Sequence, residues 1–152
     1  MTMASDGRSL TGLWFDRQRY APPASDGPRH GQILPVFDTT CRWLDVYFSG
    51  GVPNFTPPIS LCDTPFRMAV WEILKTIPYG QTMTYGALAI RLAQQQSLQR
   101  MSAQAVGGAV GHNPIALIIP CHRVIGADGS LTGYAAGLDR KRRLLQLEQI
   151  IK

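Results

Sequence analysis

Apolar residues recur through the second half of the chain at the spacing of helix faces. Phe66, Ala69, Val70, Ile73, Leu74 and Ile77 fall at i, i+3, i+4, i+7, i+8 and i+11, which predicts one amphipathic helix. Thr64 is placed to cap it, Pro65 sits in its first turn, and Pro78-Tyr79-Gly80 closes it. Thr84 caps a second helix, expected from Tyr85 to about Ala93. After a polar insert, Q-Q-Q-S-L-Q-R-M, Ser102 caps a third, whose Ala103, Val106, Gly107 and Val110 share a face. A last helix is expected from about Asp139, with the stripe Leu144, Leu147 and Ile151.

The first half is patterned differently. L-T-G-L-W-F at 10–15 reads as a strand, A-P-P-A-S-D-G-P-R-H-G as a polar loop, and Val36 to Phe48 as a helix. G-G-V-P-N-F-T-P-P-I-S-L-C-D-T-P then runs extended to residue 65, because paired prolines and glycines suit neither a helix nor a central strand. The organisation expected is α+β: a small N-terminal α/β unit with its linker over 1–63, and a mostly helical domain over 64–152. The latter would carry a helix-turn-helix and a short hairpin turning at Asp128-Gly129. Between them, I-A-L-I-I-P at 115–120 reads as a buried strand that delivers Cys121.

A chain of 152 residues is long enough for a sizeable core. It has no run of about 18 apolar residues and no signal-peptide pattern at its start, so a cytoplasmic protein is expected. Three dispersed cysteines, Cys41, Cys62 and Cys121, do not make a disulfide framework. The net charge of +5 is uneven: residues 1–64 carry five Arg against six Asp, whereas 65–152 carry ten cations against four acids. A basic second half fits nucleic acid, and a solvated basic face, including Arg140 to Arg143, fits equally. Gly107, Gly108 and Gly111 raise the same choice. Each costs a helix about 1 kcal/mol relative to alanine, so a backbone must approach closely, either another helix or a nucleic acid.

Chemistry enters at I-P-C-H-R-V, 119–124. A cysteine is nucleophilic as the thiolate, and a nearby imidazole is one means of supplying it. Glu148 lies on the apolar face of the last helix, and a carboxylate there needs a partner, a histidine or an arginine.

Taken together these segments resemble the O6-alkylguanine-DNA alkyltransferase family. The matching stretches are T-P-F (64–66), V-W (70–71), I-P-Y-G-Q-T (77–82), Y-G-A-L-A (85–89), A-V-G-G-A (105–109), N-P (113–114), I-P-C-H-R-V-I-G (119–126) and T-G-Y-A-A-G-L-D-R-K (132–141). The resemblance implies a single-turnover repair of O6-alkylguanine, and of O4-alkylthymine, in duplex DNA bound through the minor groove with the base flipped out. No cofactor is implied, and the protein would act as a monomer. It implies that Cys121 accepts the alkyl group, that His122 is its base through a bound water, that Glu148 orients His122, and that Tyr85 protonates the departing guanine. Asn113 would brace the active-site segment, and Tyr134 and the backbone at Cys121 and Val124 would close the pocket. Ala105, Gly107, Gly108, Gln104, Arg100 and Arg123 would face DNA.

Three departures accompany the resemblance. Gln104 stands where the family places an intercalating arginine, so weaker flipping, or compensation by Arg100, is expected. The insert lengthens the link between the two helices. The family's N-terminal unit usually begins with a strand before the segment that L-T-G-L-W-F resembles, and the chain starts almost at that segment, so either a trimmed unit or a misassigned start is expected. His30, Cys41 and Cys62 are too dispersed to form a recognisable metal site. A binding-only relative would replace the cysteine, which is present here. A Cys-His-Glu hydrolase or a purely structural DNA-binding module would not use all of these features at once.

Overall fold

The computed structural model describes residues 1–22 and 34–152; most of the polar loop and His30 lie outside them. Strands β1 (Thr2–Ser5) and β2 (Leu10–Trp14) pair antiparallel, Met3 opposite Leu13, with the ladder interrupted between Ala4 and Ser5. Asp6 Oδ1 closes the connection by accepting from the Arg8 and Ser9 amides at 2.9 and 2.7 Å. A strand, Thr2–Ser5, thus precedes the L-T-G-L-W-F segment. Four residues without a continuous apolar pattern left little to read.

The other edge of β2 is bonded to the rest of the molecule. The Leu10 amide donates to Pro58 O and the Leu10 carbonyl accepts from Ser60 N, so the extended linker is held to the strand. Leu13 does the same with Pro114 O and Ala116 N, at 2.9 and 2.8 Å. Helix α1 (Pro35–Phe48) buries Val36, Thr40, Trp43 and Tyr47, one stripe at i, i+4, i+7 and i+11.

Helices α2 (Pro65–Leu74), α3 (Tyr85–Gln95) and α4 (Ala103–Gly111) form the expected trio. Thr64, Thr84 and Ser102 each accept from the amide three residues on, at 3.4, 3.1 and 3.3 Å, satisfying one otherwise unpaired donor per helix. Val70, Ile73, Leu74 and Ile77 are buried as the stripe requires, and Trp71 is buried with its indole N–H on Ala109 O at 2.9 Å. That bond locks α2 to α4.

Two segments depart from the expected elements. Residues 115–120 are not a strand: Leu117 adopts φ 70°, and the chain turns into a 3₁₀ turn at Cys121–Arg123. Hydrogen bonds to Leu13 and a short turn serve the buried backbone in place of a ladder. The turn at Asp128-Gly129 forms, with Gly126 N–H on Ser130 O at 2.9 Å. Its leading strand β4 (Val124–Ile125) nevertheless pairs in parallel with β3 (Met83–Thr84), and the antiparallel ladder belongs to β1 and β2. The last helix, α5 (Leu138–Leu147), presents Lys141, Leu144 and Leu145 inward and ends with Glu148 as its C-cap. No helix among the described residues is long and apolar enough to cross a membrane.

Candidate active site

A cavity of about 180 Å³ is lined by α3 and α4 through Tyr85, Gly107, Gly108, Val110 and Gly111, by Cys121, and by Gly133, Tyr134 and Ala135. Arg19 and Tyr20, which sequence reasoning missed, also line it. Tyr20 stacks on His112 with ring centroids 3.9 Å apart, and Arg19 N–H donates to Ala135 O at 2.8 Å. Both follow from Arg17 and Tyr20 at positive φ, a loop conformation with no sequence signal. The Tyr85 hydroxyl donates toward Thr132 O and Gly133 O at 3.2 and 3.3 Å, which holds the 132–135 segment against α3. Burial first, and then the neighbouring Cys121, pushes the Tyr85 phenol up.

Cys121 is 6% exposed in this cavity. Asn113 organises its approach: Nδ2 donates to Ile119 O at 2.8 Å and lies 3.1 Å from Cys121 Sγ, while Oδ1 accepts from Ile115 N at 3.0 Å. Burial pushes the Cys121 thiol up, opposed by the Asn113 hydrogen bond and the Lys141 charge. Those two groups favour the thiolate that the site would need.

His122 and Arg123 turn away from the cavity toward Glu148. Glu148 Oε1 accepts from Tyr47 Oη at 2.7 Å, His122 Nε2 at 2.7 Å and Arg123 Nη2 at 3.0 Å; Oε2 accepts from Arg123 Nε at 2.8 Å and Gly80 N at 3.2 Å. Burial alone would raise the carboxyl, but the His122, Arg123 and Tyr47 bonds outweigh it and bring Glu148 down to about 2. An ionised carboxylate only accepts, so Glu148 favours the His122 proton on Nε2. Nδ1 is then the basic nitrogen, and it is buried without a protein partner among the described residues. Burial pushes the His122 pKa down despite Glu148, which keeps the imidazole neutral.

Lys141 is the buried cation on the other side. Its ammonium donates to Val124 O at 2.6 Å, Thr132 O at 2.9 Å and Gly133 O at 3.3 Å, and burial lowers its pKa to about 8. The basic run 140–143 is thus not uniformly solvated. Lys141 stands at i−3 and i−4 from Leu144 and Leu145, a periodicity that the sequence reading passed over and that matches its inward direction.

Of the sequence candidates, Cys121, Tyr85, Tyr134, Gly107 and Gly108 meet at the cavity, with Asn113 directly behind the sulfur. His122 and Glu148 meet one layer deeper. Gln104, Ala105 and Arg100 are exposed on α4 and just before it. Arg123 does not belong with the DNA-facing residues: its guanidinium is spent on Glu148 and Ile77 O. Val124 is fully buried, its carbonyl is taken by Lys141, and it does not line the cavity. Among the described residues no His, Cys, Asp and Glu cluster could hold a metal.

Residues 65–150 match the family described as 6-O-methylguanine DNA methyltransferase, DNA binding domain. A methylated-DNA--protein-cysteine methyltransferase of Haemophilus influenzae is 44% identical over 153 residues, covering 99% of this chain and 80% of the relative. That of Mycobacterium tuberculosis strain H37Rv is 43% identical over 150 residues, covering 98% and 86%. The crystal structure of Mycobacterium tuberculosis OGT in complex with DNA superposes with a TM-score of 0.76 at 42% identity, covering 97% of this chain and 84% of that one.

Proposed function

The chain belongs to the O6-methylguanine-DNA methyltransferase family, and from that premise we propose that it repairs DNA by moving the alkyl group of O6-alkylguanine onto Cys121, once per molecule. The observation that carries the reading is the sulfur itself: Cys121 Sγ lies in a cavity, braced by Asn113 Nδ2 at 3.1 Å, next in sequence to a neutral imidazole.

The transfer balances without a cofactor. His122 Nδ1, through a bridging water, takes the thiol proton while Asn113 and the Lys141 charge favour the anion. The thiolate attacks the carbon bound to O6; the S–C bond forms as the C–O6 bond breaks, and the electron pair stays on guanine. Tyr85 gives up its bond to residues 132 and 133 and protonates the base, and the proton on His122 passes through solvent to the Tyr85 oxygen, which restores both groups to neutral. The product thioether has no leaving group that the protein can displace, so Cys121 is consumed. O4-alkylthymine offers the same alkyl carbon on an exocyclic oxygen and falls within the same reading.

We assign residues 64–152 to DNA binding and transfer, and 1–63 to a supporting unit. The lesion inside a duplex must be flipped into the cavity, at a cost of a few kcal/mol. Exposed Gln104, Ala105 and Gly108 support a reading in which α4 enters the minor groove. A Cβ on Gly108 would meet nothing within 4 Å, so the protein interior does not require that glycine, which supports an external backbone as its reason. A protein acting on chromosomal lesions works in the cytoplasm or wherever the cell keeps its DNA. It acts as a monomer, since one chain supplies every group named.

Intact mass and peptide mapping after incubation with a duplex carrying one O6-methylguanine test the reading. One methyl on Cys121 and restored guanine are expected; unmodified protein with tight lesion-selective binding would overturn it in favour of a sensor.

A further inference from the structure

We infer that Tyr47, from helix α1 of the N-terminal unit, is a positioning residue of the proton relay: it holds His122 as the Nε2–H tautomer, leaving Nδ1 to face the chemistry. The inference rests on the proposed transfer to Cys121. Tyr47 is fully buried, its hydroxyl 2.7 Å from Glu148 Oε1 and 3.2 Å from His122 Nε2. A phenol has one hydrogen. Glu148 accepts only, so the hydrogen goes to Oε1, and the lone pairs of the phenolic oxygen are left facing Nε2.

Two oxygens then converge on that nitrogen. With the proton on Nε2 both contacts are attractive; with it on Nδ1 the Nε2 lone pair would meet two electron-rich oxygens at 2.7 and 3.2 Å. The tautomer is fixed from the far side of the ring, as the partners of a metal-bound histidine fix its orientation. Tyr47 also reaches across the fold, since residues 47 and 148 are 101 apart in sequence and belong to different units. Its ring is clamped by Trp43, stacked at 5.3 Å, and by Tyr79 edge-on at 6.1 Å, so the hydroxyl cannot swing away. The ionisable groups that act on His122 are Lys141 from α5, Glu148 at its C-cap, Arg123 of its own turn, and Tyr47 at Nε2; Cys121 precedes it in sequence, and Tyr79 packs on the far side of Tyr47.

Tyr47→Phe keeps the ring and removes only the bonds. Glu148 then loses a donor and its charge is felt more strongly by His122, so the imidazolium is better stabilised and the acid limb of the transfer rate moves to higher pH. Two measurements test this: ¹⁵N NMR of the His122 ring in the unreacted full chain from about pH 5 to 9, and single-turnover transfer from an O6-methylguanine duplex. The expected result is a His122 ring titration and an acid limb both shifted upward, and a rate lower by about tenfold, the scale of one hydrogen bond to a charged group, with duplex affinity unchanged. Unaltered ring shifts and a rate profile parallel to wild type would overturn the proposal. Should the variant fail to fold, 3-fluorotyrosine at position 47, a stronger donor, is expected to move the limb the opposite way, and no movement overturns the proposal. The NMR arm needs no transfer, so loss of wild-type transfer would sink the functional reading alone, whereas an unchanged ring titration would sink only the role of Tyr47.

Discussion

The two sides of Cys121 are built on opposite rules. Behind the sulfur, Tyr47, His122, Arg123 and Glu148 are buried and bonded to one another, with one ring nitrogen left over. In front, Gln104, Ala105 and Gly108 are exposed, and Gly108 has open space where a side chain would be. A group that must hold a proton in place gains from a saturated, water-free surround, because removing any member leaves a costly orphan. A surface that must admit a duplex gains from having few side chains of its own. The same chain solves positioning by crowding and recognition by omission.

The contrast breaks most visibly at Glu148. Glu148→Gln leaves Arg123 buried without its counter-charge, and loss of about 3–5 kcal/mol of stability with a transfer rate down on the order of 100-fold is expected from denaturation and single-turnover assays. The pH dependence has a definite sign. The folded Glu148 pKa is depressed from 4.5 to about 2, so its stabilisation is fully present above about 4.5 and is lost as pH falls toward 2; an acid titration of wild type should show that loss and Glu148→Gln should lack it.

At the front the expected sign is reversed. Gly108→Ala should raise thermal stability, helix propensity contributing up to about 1 kcal/mol, while duplex affinity falls about tenfold, since a methyl forced into a close contact costs about 1–3 kcal/mol. A variant that gains stability and keeps its affinity would mean that α4 does not meet DNA at this glycine. The smallest effect is expected of Gln104→Arg: tighter duplex binding with a salt slope steeper by about one and faster repair. Unchanged affinity and rate would remove the idea that Gln104 weakens flipping.

The same division governed what the sequence disclosed. Thr64, Thr84 and Ser102 were legible as caps because each bonds an amide three residues away. Cys121 stood out in I-P-C-H-R-V, and Glu148 betrayed itself as a carboxylate on an apolar face. Arg123 was misread because adjacency in a motif says nothing of direction; the 3₁₀ turn, unforeseen, sends it inward. Lys141 was hidden among cations although its helical phase matched the core. Tyr47 gave no local sign at all, because the partners that define it lie in the other half of the chain.

The outer edge of β2 has one more consequence, for the chain during its synthesis. Leu13 lies near the start, and its partners Pro114 and Ala116 follow about a hundred residues later. At roughly 5–20 residues per second, a ribosome needs on the order of ten seconds to deliver them. Through that interval the nascent hairpin exposes an unpaired strand edge, the kind that recruits neighbouring chains. Slower initiation or a cooler culture should therefore raise soluble yield, with no change in the finished protein.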